Sequence, residues 1–193
     1  MNEAIFQSIN GLATHHALLD SVMIFSSACL PYLIALCMAA MYLAGVIGRN
    51  KRRRQTAVHT AVLLALNLLL AFLIGQIWYE PRPFLTRKVN LLYPHVSDSS
   101  FPSDHATATL SIALGLGRAD TILGIVLALL SGIVGVSRVY VGHHYPFDIL
   151  GSYALVFLTE YLYHKFVETK VDALYAKMEK RMVSAAASRF HKA

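Results

Sequence analysis

The run TAVHTAVLLALNLLLAFLIGQIWY, residues 56–79, contains no Asp, Glu, Lys or Arg. A helix needs about 20 apolar residues to cross the hydrocarbon core of a bilayer, and this run supplies them without a charge. It therefore predicts a membrane-spanning helix. Working outward, long apolar stretches also lie at 18–47 and 145–167, and shorter ones at 103–117 and 120–138. The polar step Arg118-Ala119-Asp120 predicts a tight turn joining the shorter pair as antiparallel helices. Near the start, Ile5, Phe6, Ile9 and Leu12 mark a short amphipathic segment suited to the membrane interface. The expected fold is all-α: a polytopic membrane helix bundle of about five transmembrane helices plus an N-terminal interfacial helix, in one domain over residues 1–193.

Composition agrees with a membrane as the solvent. Hydrophobic residues make up 56% of the chain and charged ones 15%, which excludes a water-soluble domain of ordinary composition. The formal net charge of +6 comes largely from Arg49, Lys51, Arg52, Arg53 and Arg54 and from the tail beyond Lys165. Both groups flank apolar stretches, so they read as membrane-surface anchors, and no nucleic-acid partner is expected. Placing the 49–54 loop in the cytoplasm leaves only Arg82, Arg87, Lys88 and Arg138 of the 17 Lys and Arg on the other side. The positive-inside rule then puts 80–102 and 138–145 on the extracytoplasmic face and the basic tail, about 168–193, inside. Trp78 and Tyr79 suit an aromatic belt at the outer boundary. Cys29 and Cys37 share one apolar segment and read as packing residues. Residues 1–16 lack a basic n-region, so the first hydrophobic helix is expected to serve as the insertion signal.

Ionisable residues are scarce in such a chain, and that topology brings three clusters of them to one face. They are Glu80-Pro81-Arg82-Pro83-Phe84, Pro102-Ser103-Asp104-His105, and Ser137-Arg138 followed by His143-His144-Tyr145-Pro146-Phe147-Asp148. Arg82 and Arg138 offer planar guanidinium forks that grip phosphoryl oxygens in pairs. Ser103 sits at a helix N-cap position, which leaves the amides of Asp104 and His105 free for an anion. Pro146 suits a first helical turn, so His144 precedes that helix and Asp148 lies within its first turn. The aspartate can reach back to one ring N–H of His144 and leave the other nitrogen free to attack. His105, on another helix but the same face, is the candidate general acid.

These clusters resemble the type 2 phosphatidic acid phosphatase superfamily, whose motifs read Lys-x6-Arg-Pro, Pro-Ser-Gly-His and Ser-Arg-x5-His-x3-Asp. The third is complete here as Ser137, Arg138, His144 and Asp148; in the second, Asp104 replaces the glycine; in the first, Gly75 stands where the lysine would. The departures, the wording EPRPF, FPSDH and VGHHYP, and the chain length resemble the bacitracin-resistance BcrC-type undecaprenyl-diphosphate phosphatases. The resemblance implies a phosphohistidine at His144, with Asp148 as its orienting carboxylate and His105 as acid. Arg82, Ser103, the Asp104 amide and Arg138 would bind phosphate. It also implies a lipid diphosphate substrate, a plasma-membrane location and a role in recycling the cell-wall lipid carrier.

Several alternatives stay open at this level. Lys88, Arg87 or a water could stand in for the lysine missing at 75, and Glu80 could orient Arg82 or form a surface ion pair. His143 is assigned no role, as a headgroup-facing or loop histidine. His105, His143, His144 and Asp148 could bind zinc, but two arginines in the same pocket would repel a cation, so no metal or cofactor is expected. Rival functions are the same chemistry on phosphatidic acid or phosphatidylglycerol phosphate, and a non-enzymatic component such as an exporter subunit. The charge partition makes a direct prediction. In a Cys29→Ala, Cys37→Ala background on intact cells, a cysteine at Ser97 should react with an impermeant thiol reagent and one at Ser188 should not. The opposite labelling pattern would reverse the topology.

Overall fold

The computed structural model describes residues 1–190, with side chains through Arg181. The described residues form helices α1 (Asn2–Asn10), α2 (Ala17–Ala28), α3 (Leu30–Ile47), α4 (Lys51–Ile77), α5 (Pro83–Thr86), α6 (Asp104–Gly117), α7 (Thr121–Tyr140), α8 (Pro146–Phe166) and α9 (Glu168–Phe190). No strand occurs among them, and an isolated bridge pairs Pro81 with Ser99. The long helices begin on residues chosen for the job. The Asn50 side chain accepts from Arg53 N at the start of α4, and Asp120 accepts from Leu123 N at the start of α7. Each satisfies one of the donors that a helix N-terminus leaves open.

The expected single span over 18–47 is instead two helices, α2 and α3, parted at Cys29. Pro31 explains the break, because its ring removes one helical N–H and clashes with the carbonyl four residues earlier. Among the described residues, α3, α4 and α7 are long and apolar enough to cross a membrane. At 14 residues α6 is shorter, and α8 carries Asp148, Glu160 and Lys165 along its 21.

Ile34, Ile112, Ala113, Leu116, Leu127 and Val134 form the central core where α3, α6 and α7 meet. Large apolar side chains such as Leu36, Phe72, Ile122 and Leu129 point outward, as expected where lipid rather than protein covers a helix. The α6 and α7 backbones approach closely at two glycines, since a Cβ on Gly124 would lie 2.4 Å from Gly117 Cα. Gly132, two turns further along α7, has nothing within 4 Å of such a Cβ.

The N-terminal helix does more than lie on a surface. Phe6 is fully buried against Val139, Tyr145 and Ile149. Asn10 donates to Tyr140 O (2.8 Å) and Asn90 O (3.0 Å) and accepts from Asn90 N (2.9 Å), tying α1 to the 88–99 loop and the end of α7. At the opposite end, α9 folds back on α4 through Arg54–Glu179 (2.7 Å) and His59–Asp172 (3.1 Å). Residues 191–193 of the predicted basic tail, including His191, lie outside the described residues.

The glycine contact supplies a stability test with an internal control. Gly124→Val should destabilise the purified protein by about 1–3 kcal/mol through overpacking, seen as a lower unfolding midpoint in detergent. Gly132→Val should leave the midpoint near that of the wild type. Equal effects at the two sites would show that the α6–α7 approach is not a packing constraint.

Candidate active site

The three sequence clusters meet at one end of the bundle, opposite the 49–54 loop, where α4 ends, α6 begins, α7 ends and α8 begins. His144, fully buried between α7 and α8, stands at the centre. Its Nδ1 lies 2.8 Å from Ser100 O, and its Nε2 lies 2.9 Å from an Arg82 nitrogen and 3.5 Å from an Arg138 nitrogen. A guanidinium only donates and a carbonyl only accepts. Nδ1 therefore carries the hydrogen, and Nε2 presents its lone pair to the two arginines. Burial, then Arg138 and Arg82, hold the His144 pKa well below the usual 6.5, so the ring is neutral at physiological pH.

Asp148 departs from expectation. Its Oδ2 is 3.6 Å from His144 Nδ1, too far for the direct hydrogen bond that the spacing predicts. That oxygen instead accepts the Tyr145 amide at 2.8 Å and the Ser100 hydroxyl. One residue thus holds both partners: Ser100 takes the ring N–H on its carbonyl and gives its hydroxyl hydrogen to the carboxylate.

The two arginines are buried and are held by a segment that carries no motif, residues 88–99. Asp98 accepts from Arg82 Nε at 2.7 Å, which gives it the orienting role considered for Glu80, and Arg82 also reaches His143 O at 3.1 Å. Arg138 donates to Ser27 Oγ (3.2 Å), Tyr93 OH (3.1 Å) and His95 Nε2 (2.8 Å). His143 is wholly buried rather than headgroup-facing. It packs edge-on against Tyr93, with its Nε2 donating to Tyr93 O at 3.0 Å. Burial pushes its pKa down to about 3, in keeping with a neutral packing group.

Ser103 does cap α6, accepting from Ala106 N, while its own amide donates to Ser152 Oγ at 2.8 Å. Among the described residues the amides of Asp104 and His105 have no hydrogen-bond partner, and neither does the His105 ring. That ring lies 6.5 Å, centre to centre, from the ring of His95. The histidines and Asp148 do not converge as a metal site would require, because His143 and His144 turn nitrogens to backbone carbonyls. Among the described residues no three His, Cys, Asp or Glu side chains make such a group.

The sequence profile of the PAP2 superfamily matches residues 56–172, which include every one of these motif positions. The chain belongs to the PAP2 superfamily. It is 36% identical, over 86% of its length and 84% of the relative's, to the Bacillus subtilis protein named undecaprenyl-diphosphatase BcrC. Its fold is similar to that of Aquifex aeolicus LpxE (TM-score 0.70, 22% identity, 86% of this chain and 95% of the other). It is also similar to the fold of a transmembrane PAP2 type phosphatidylglycerolphosphate phosphatase from Bacillus subtilis (TM-score 0.61, 21% identity, 86% and 85%). The protein is accordingly a membrane phosphatase.

Within that superfamily, the glycine in place of the motif lysine has a local reason. A Cβ on Gly75 would stand 3.2 Å from Ser99 Cβ and 3.4 Å from Phe101 O, so the segment carrying Ser100 rests against the bare backbone of α4. Arg87, one of the candidates to stand in for the lysine, pairs with Glu3 at 2.6 Å and Tyr145 OH at 3.3 Å. Lys88 is exposed.

Sequence reading missed Ser100, Asp98, His95, Tyr93 and Ser27. Ser100 had one available signal, its place two residues before Pro102-Ser103. Removing its hydroxyl tests its importance. A hydrogen bond to a charged group contributes about 1.5–3 kcal/mol, so Ser100→Ala should lower kcat roughly 10- to 100-fold with little change in KM. Wild-type turnover in Ser100→Ala would show that the Tyr145 amide alone suffices to hold Asp148.

Proposed function

We propose that this PAP2 phosphatase hydrolyses undecaprenyl diphosphate to undecaprenyl phosphate and inorganic phosphate through a phosphohistidine at His144. The observation that carries the reading is the buried, neutral His144, whose Nε2 lone pair faces two guanidinium groups. A nucleophile aimed at two fixed cations is arranged for an anionic electrophile. The arginines that cap the lone pair become the clamp on the phosphoryl oxygens once substrate enters.

In this mechanism the terminal phosphoryl group rests on Arg82, Arg138 and the amides of Asp104 and His105 at the α6 N-terminus capped by Ser103. Nε2 of His144 forms a bond to phosphorus as the bond to the bridging oxygen breaks. His105 gives its proton to that departing oxygen. Asp148, through Ser100, supports the positive charge that develops on the imidazole. Water, deprotonated by His105, then attacks phosphorus, releases phosphate and restores both histidines.

The lipid class comes from the similarity to the Bacillus subtilis undecaprenyl-diphosphatase and from the apolar setting of the site. The proposal also places the chain in the plasma membrane as a single domain of five spans, with the site on the extracytoplasmic face. That orientation rests on the partition of Lys and Arg. Such an enzyme would regenerate the carrier of cell-wall synthesis and remove the diphosphate that bacitracin sequesters.

Rapid quench with radiolabelled undecaprenyl diphosphate tests the chemistry. The wild type should yield an acid-labile phosphoenzyme, and His144→Ala should yield neither phosphoenzyme nor turnover. His105→Ala should cost roughly 10²–10⁴-fold on the lipid and far less on nitrophenyl phosphate, whose leaving group needs no proton. A phosphoenzyme in His144→Ala would refute the nucleophile. Faster release from phosphatidic acid than from the polyprenyl diphosphate would move the substrate to the glycerolipids.

A further inference from the structure

The 88–99 segment contributes a histidine that the mechanism above leaves unused. His95 is partly buried, turns Nδ1–H to its neighbour Val96 O at 3.1 Å and accepts from Arg138 on Nε2 at 2.8 Å. Its ring lies 6.5 Å from that of His105 and 4.6 Å from that of His143. It therefore stands between the phosphate clamp and the general acid.

That position matters for a substrate with two phosphoryl groups. In-line displacement puts the leaving oxygen opposite His144, on the side where the acid must be. In a diphosphate this oxygen bridges to the second phosphorus, so the second phosphoryl group lies towards the space that His105 and His95 share. Of the other cations already named, Lys88 is exposed and the rest are committed elsewhere. Arg82 and Arg138 hold the transferred group, Arg87 is paired with Glu3, and the close approach of Ser99 and Phe101 fills the place of a side chain at Gly75.

We propose that His95 is the contact for the second phosphoryl group of a diphosphate and that it gives this site its preference for diphosphates over monophosphates. The inference rests on the diphosphatase reading and adds to it a residue and a basis for selectivity. When phosphoryl oxygens take over the Arg138 nitrogen, the Nε2 lone pair of His95 is released. The ring then takes a proton from solvent water at Nε2 and donates it in a hydrogen bond to the phosphate, with Nδ1–H still on Val96 O. Arg82, Arg138, Asp98, His105 and His143 surround it. Burial and the two arginines hold the His95 pKa below its usual value, and the arriving phosphate charge opposes that effect.

The test compares purified full-length wild type, His95→Ala and His95→Gln on undecaprenyl diphosphate and on phosphatidic acid. Inhibition by inorganic pyrophosphate and by orthophosphate is measured alongside. His95→Ala should lose about 10- to 100-fold more kcat/KM on the diphosphate than on the monophosphate, the scale of one charge-assisted hydrogen bond. Pyrophosphate inhibition should weaken more than orthophosphate inhibition, and His95→Gln, which keeps a neutral donor, should fall between. Equal losses on both lipids with an unchanged ratio of inhibition constants would overturn the proposal and leave His95 as a support for Arg138 alone. A wild type that hydrolyses phosphatidic acid but not the polyprenyl diphosphate would refute the substrate instead, and the inhibitor ratio would still decide the role of His95.

Discussion

Two guanidinium groups buried beside one imidazole set the terms for the rest of this structure. Arg82 is 3% exposed and Arg138 1%, and both reach the same nitrogen of His144. Burying one charge away from water is costly unless it is paired, and two like charges close together add repulsion. Among the described residues Asp98 is the only carboxylate bonded to either, and it is half exposed. The other partners are neutral: a carbonyl, two hydroxyls and two imidazoles. These side chains are thus short of negative charge, which is what the proposed phosphoryl substrate would supply. The donors are fixed before substrate arrives, so little reorganisation is left for the chemical step.

Holding those arginines explains features that look unrelated along the chain. The α1 helix binds Asn90, and Asn90 belongs to the segment whose Tyr93, His95 and Asp98 grip the guanidinium groups. His143 anchors Tyr93 from beneath. Ser27, at the far end of α2, bonds both Arg138 and Tyr93, so the break at Cys29 lies just past a residue that the site uses. A short helix, a loop without a motif and the end of α2 together hold the two arginines.

The legibility of these parts in the sequence follows their physics. The apolar spans could be read because lipid exposure demands long runs of one character, and the step at 118–120 marked the α6–α7 turn. The third motif could be read because His144 and Asp148 are joined by local helix geometry. Pro31 carried the signal for the break in 18–47, but hydrophobicity alone overrode it. The partners of the arginines lie 16 residues away at Asp98 and 111 away at Ser27, and such contacts depend on where a loop returns. No periodicity records that. Ser100 is the instructive case, since an aspartate four residues from a histidine suggests a direct bond, whereas the folded chain places a third residue between them.

Gly75 shows how a departure from a family pattern can follow from packing in the same site. A lysine there would need the space that Ser99 and Phe101 occupy, and those residues bracket Ser100. The Ser99 hydroxyl donates to Phe101 O at 3.0 Å and accepts from Glu80 N, while Ser100 N donates to Glu80 O at 2.7 Å. The segment is therefore pinned to the end of α4 by hydrogen bonds as well as by contact. Loss of a cation at 75 and tight seating of the serine that holds His144 and Asp148 are two consequences of one small residue. On the proposal above, the positive charge not carried at 75 comes from the 88–99 segment, which is already bound to both arginines and brings His95 beside Arg138.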